Sequence, residues 1–154
     1  MTAAPLVRPG QRGTAIIEFA IALPLMLFLL LATAETGRLL SQYDTLNKAV
    51  RDAARYLATN ALGGTTGVVS ITPQLQTATA NLVVTGNIAG TGSALLPNLV
   101  AGNVTVADLG NGYVSVSAAY PYVPMLGTNL MTFGMAAPIS ANLVLNATVV
   151  MRPL

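Results

Sequence analysis

Residues 14–34 form a run of 21 residues in which the only charge is Glu18. No other feature restricts the fold so tightly. At about 1.5 Å per residue, a helix of that length spans roughly 31 Å, the thickness of a bilayer's hydrocarbon core. Pro24 lies inside the run; a membrane helix tolerates it, and a kink is expected there. Ahead of the run, Pro5, Pro9, Gly10 and Gly13 argue against helix over residues 1–13. Arg8 and Arg12 are the only charges of that leader. Cationic side chains flanking an apolar span hold their own side in the cytoplasm, so the rest of the chain is expected beyond the membrane.

Charge is scarce and segregated. Only 8% of the 154 residues are charged, against about a quarter in ordinary soluble domains. Ten of the twelve charged side chains lie at or before Arg55, and between Arg55 and Arg152 the only one is Asp108. Without the leader, five basic side chains would face five acidic ones. No basic stripe remains to hold phosphates, so nucleic acid is not an expected partner. The chain has no cysteine and no histidine. That removes disulfides, thiolate zinc sites and Cys or His catalysis. No cluster of carboxylates suggests a metal, and no cofactor or enzymatic activity is expected.

Beyond the span, Leu39, Tyr43, Leu46, Val50, Ala53 and Leu57 recur at spacings of 4, 3, 4, 3 and 4. Arg38, Gln42, Asn47, Lys48, Arg51, Asp52 and Arg55 fill the other faces. This is an amphipathic helix, supported weakly by Asp44–Lys48 and Lys48–Asp52 at i,i+4, and Gly63-Gly64 should stop it. Span and extension together make one helix of nearly 50 residues. Residues 73–84 read equally as helix or strand, and 86–92 as a Gly-rich loop. Residues 103–109 and 113–123 read as strands around the turn Gly110-Asn111-Gly112, and 139–151 alternates as a last strand. The expected fold class is α+β: a long N-terminal transmembrane and amphipathic helix packed on a small antiparallel sheet. Tyr113, Tyr120 and Tyr122 are expected to serve core and sheet-edge packing, and Arg38 to mark the point where the helix leaves the membrane.

A short basic segment, a glycine, then Thr-Ala-Ile-Ile-Glu-Phe, an apolar helix and a small sheet domain resemble the type IV pilin superfamily. More closely, "RGTAIIEFAIALPLMLFLLLATAETGRLL" is similar to the TadE-like minor pseudopilins of tight-adherence (Flp-type) pili. The resemblance is specific over residues 12–38 and weaker in residues 51–57 and in "LNATVVMRP". It implies a pilin-like fold, with cleavage by a prepilin peptidase after Gly13 and a new N-terminus at Thr14. The expected organisation is a leader (1–13), a transmembrane helix (14–34), an amphipathic extension (35–62) and a small extracytoplasmic sheet domain (63–154). The implied setting is the bacterial inner membrane, crossed once with the N-terminus cytoplasmic. Implied partners are the peptidase, companion minor pseudopilins, the major pilin and the inner-membrane pilus platform.

Physics gives Glu18 a role in this arrangement. Cleavage would create a cation at Thr14, one turn ahead of Glu18, and a neighbouring chain's carboxylate could meet it. An unpaired carboxylate in hydrocarbon costs about 2.5 kcal/mol or more, so wrongly staggered helices would be rejected. Two other readings stand beside it. Glu18 could snorkel at the interface of a single-pass anchor carrying a binding domain unrelated to pili. Alternatively, Ala32-Thr33-Ala34 could be a secretory signal-peptidase site, releasing a chain that begins at Glu35.

Overall fold

The computed structural model describes residues 12–63, 67–125, 129–130, 139–140 and 143–153. Its first element, α1, runs Arg12–Asn60, 49 residues, and continues through Pro24. The helix therefore begins two residues earlier than expected. Arg12 and Gly13, the end of the leader, already have helical backbone, because the breakers Pro5, Pro9 and Gly10 all lie upstream. The chain divides into two compact units, Met1–Gly37 and Arg38–Leu154.

In the second unit, α1 buries the stripe that its periodicity marks out. Leu46, Val50, Ala53 and Leu57 are fully buried, and Ala49, Ala54 and Ala58 widen the contact. Small alanines let a neighbouring backbone approach closely, which is why the buried arc is broader than the leucine–valine stripe alone. Leu39 is only half-buried. Tyr43 departs from the expectation: it is exposed, since its position has drifted to the edge of the arc. Of the two anticipated ion pairs, Lys48 Nζ to Asp44 Oδ2 forms at 2.7 Å, and it is exposed enough to add little. After Asn60 the chain reverses. Leu62 and Val69 form an antiparallel bridge, the Ser70 amide donates to Ala61 O at 2.7 Å, and Gly63 sits in the reversal. Gly64 lies outside the described residues.

The ambiguous segment is a helix, α2, Pro73–Thr85. Its ends decide the matter. Thr72 caps the start, its Oγ1 accepting from the Leu75 amide at 3.2 Å, and Pro73 occupies the first turn. Gly86, at φ 71°, closes the other end by donating to Leu82 O. Leu75, Ala80 and Val83 are buried on one side, with the buried Thr79 hydroxyl donating to Leu75 O at 2.7 Å. A short 3-10 turn, Ala101–Asn103, then leads into the sheet.

The sheet has three antiparallel strands in the order β1 (Val104–Gly110), β2 (Tyr113–Tyr122), β5 (Leu143–Met151). The β1–β2 turn is Asn111-Gly112, at φ 53° and 74°; two positive values in a two-residue loop make a type I′ hairpin. The register slips between Asp108 and Gly110, and Asp108 Oδ1 accepts the Gly110 amide at 2.8 Å across the bulge. A separate pair, β3 (Asn129–Leu130) with β4 (Ile139–Ser140), precedes β5. The expected strand over 139–151 is thus seen as β4 and β5, with residues 141–142 outside the described set. Val114, Val116, Ala118, Tyr120 and Tyr122 of β2 face the core with Val106, Leu145 and Ala147. One cluster joins them to the buried side of α1, to α2, and to Leu96 and Leu99. The class is α+β: a long apolar N-terminal helix and a small antiparallel sheet.

Candidate functional site

In the first unit, Thr14 through Leu31 are exposed along every face of α1. Ile16, Phe19, Leu25, Met26 and Leu30 all project from the helix without protein cover. A helix this apolar and wholly uncovered requires another apolar environment. Eleven Ile, Leu and Phe side chains lie in this run, and at about −0.3 to −0.6 kcal/mol each they favour insertion by roughly 3–7 kcal/mol. One carboxylate near the end of the span does not outweigh that. The hydroxyls that end the span are satisfied internally. Thr33 Oγ1 donates to Leu29 O and Thr36 Oγ1 to Ala32 O, each at 2.8 Å. Neither hydroxyl brings an unmet donor to the lipid boundary. The long apolar helix thus has the character of a membrane anchor.

The sequence-derived site residues fall as follows. Thr14 and Glu18 are both exposed on α1, four residues apart. That spacing sets them one turn apart, about 6 Å along the axis. Arg12 and Gly13 occupy the first helical residues. Arg8 lies outside the described residues.

In the second unit, sequence reasoning missed a polar clamp at the start of the head domain. Arg38 and Gln42, i and i+4 on α1, both reach β2. Arg38 Nη2 donates to Val123 O at 3.2 Å, and its guanidinium lies 5.7 Å from the centre of the Tyr122 ring. The Tyr120 hydroxyl donates to Gln42 Oε1 at 3.1 Å. Burial pushes the Tyr120 phenol above its ordinary value, and the Arg38 charge pulls the other way. The expected trio of tyrosines is therefore divided. Tyr120 and Tyr122 are buried on the core face, whereas Tyr113 is exposed on the opposite face of β2. No local signal pointed to it: Arg38 and Gln42 flank the apolar stripe as solvated side chains ordinarily do, and their partners lie 85 and 78 positions further along the chain.

Among the described residues, no three His, Cys, Asp or Glu side chains gather in one place. Hollows beside α2 are shallow. One of about 390 Å³ is lined by Tyr56, Asn60, Ser70, Thr72, Gln74 and Leu75, uncharged throughout.

Residues 13–55 match the family model described as TadE-like protein. That segment begins at Gly13, includes Glu18, and ends inside the buried stripe of α1. Neither a curated protein nor a solved structure matches the chain.

Proposed function

We propose that this chain is a membrane protein of the tight-adherence pilus system, a minor pseudopilin processed after Gly13; the TadE-like segment at residues 13–55 supports the reading. The observation that carries the reading is the position of Glu18. It is exposed on an uncovered apolar helix, one turn from Thr14, inside the TadE-like segment. Residues 1–13 act as the leader, 14–34 as the span, 35–62 as its extension and 63–154 as the extracytoplasmic part. Arg8 and Arg12 keep the leader cytoplasmic, so the chain crosses the inner membrane once.

Cleavage converts the Thr14 amide into an ammonium group. At 4 Å and an effective dielectric near 20, an ammonium and a carboxylate attract by about 4 kcal/mol before desolvation is subtracted. In an assembly this amine can meet the Glu18 carboxylate of a neighbouring chain. That pairing is what sets register: a helix displaced by a turn leaves both charges in an apolar setting, and each unpaired charge is penalised. Ala15, Ala20 and Ala22 allow neighbouring helices to come close. The peptidase, companion minor pseudopilins, the major pilin and the inner-membrane platform are the partners this role requires. The role is structural and calls for no catalytic group.

The test is Glu18→Ala in the native host. Leader removal should persist while incorporation into the pilus assembly fails. Normal assembly of the variant removes Glu18 from the mechanism.

A further inference from the structure

The Arg38 end of the head carries exposed apolar side chains on both of its layers. On α1 these are Leu40 and Tyr43; on the sheet side they are Val123, Met125, Leu143 and Val144. Each is at least 40% exposed. Leu143 pairs with Tyr122 and Val144 with Pro121, so this end of β5 lies beside the end of β2 that leads into Val123. The layers are tied at this level by Arg38, which holds Val123 O from α1. Charge is distributed unevenly across the head. Residues 109–151 contain no charged side chain, and on α1 the charges nearest Leu40 and Tyr43 are Glu35, Arg38 and Asp44. At the other end, Asp108 lies beside the β1–β2 turn and Arg152 follows β5.

We infer that this collar rests on the lipid surface from which the chain's own anchor emerges. The inference depends on the anchoring of residues 14–34, and it is independent of leader cleavage and of pilus assembly. Continuity is what selects lipid as the occupant. Arg38 is the fourth residue after Ala34 and it holds Val123 O, so the chain itself limits how far these residues can stand from the end of the span. The composition suits an interface: aliphatic and thioether side chains for the acyl boundary, a tyrosine, and a guanidinium with further N–H donors for lipid phosphate. The uncharged sheet end carries no carboxylate to be repelled by anionic headgroups.

The chain has no tryptophan, so single introduced tryptophans report cleanly. The full chain is placed in nanodiscs of phosphatidylethanolamine and phosphatidylglycerol, with ordinary or brominated acyl chains. Met125→Trp and Leu143→Trp should show blue-shifted emission that brominated lipid quenches. Val150→Trp, on the same strand near its other end, should emit as in water and lose nothing. Unquenched emission from both collar positions in a correctly inserted chain overturns the inference, and so does equal quenching at Val150. Quenching lost when a companion pseudopilin is added would show that protein displaces lipid there, which also overturns it. Failure of the chain to enter nanodiscs at all would instead sink the anchor.

Discussion

The two parts of α1 contrast sharply in what surrounds them. From Thr14 to Leu31 the side chains are apolar but for Thr14 and Glu18, and they are exposed on every face. From Leu46 to Ala58 they are apolar on one arc, and that arc is sealed by α2 and the sheet. Both stretches form helix, so local propensity does not separate them. What separates them is where the complement comes from. The later part finds its apolar partner within the chain, and the earlier part needs lipid or another chain. The polar groups differ accordingly. Just beyond the early part, Thr33 and Thr36 are bonded back to the helix. Ahead of the later part, Arg38 and Gln42 are used to fasten the sheet.

The sharpest way to break this contrast is truncation on each side of it. Leu57→Ala should destabilise the head by about 2–5 kcal/mol, because a fully buried side chain leaves a cavity. Leu30→Ala should leave head unfolding in detergent unchanged, since Leu30 touches no core. Urea titrations followed by far-UV circular dichroism compare the two. A smaller effect is expected at the hairpin. Asn111→Val forces a β-branched residue into φ 53°, and about 1–2 kcal/mol should be lost in the same titration.

Smaller still is the clamp. Tyr120→Phe removes the hydrogen bond to Gln42 and should cost about 1 kcal/mol. It also carries a pH signature. The folded phenol binds its proton more tightly than the unfolded one, whose pKa is about 10. The native state then holds more protons in that window, so stability is full below about pH 10 and declines as pH rises through the raised folded value. Thermal melts between pH 8 and 11 should show this decline in the parent and a weaker one in Tyr120→Phe. The smallest effect is expected from Thr33→Val. Its hydroxyl bonds only to its own helix, so membrane insertion and head stability should both stay within about 0.5 kcal/mol of the parent.

Periodicity made much of this architecture legible. The stripe Leu46, Val50, Ala53, Leu57 and the alternation of β2 are direct consequences of one-sided burial, and both appear where the spacing places them. α2 resisted reading because PQLQTATANLVVT is threonine- and alanine-rich, with no charged face to contrast with its buried one. Its end groups, Thr72 and Gly86, carried the information instead. The Arg38–Val123 contact joins residues 85 positions apart, and no local pattern encodes it. Arg12 and Gly13 were placed in the leader by composition, yet helix propagates back into them once the prolines are passed. The partners of Glu18 are the least legible part, because the proposed partner charge is not a side chain that the sequence spells out.

The central claim is that proteolysis after Gly13 creates the cation that Glu18 requires. It is tested most directly by determining the N-terminus of the protein purified from its native host, by Edman degradation or intact mass. The account predicts a chain beginning at Thr14. A chain that retains residues 1–13, or one that begins at Glu35, contradicts it.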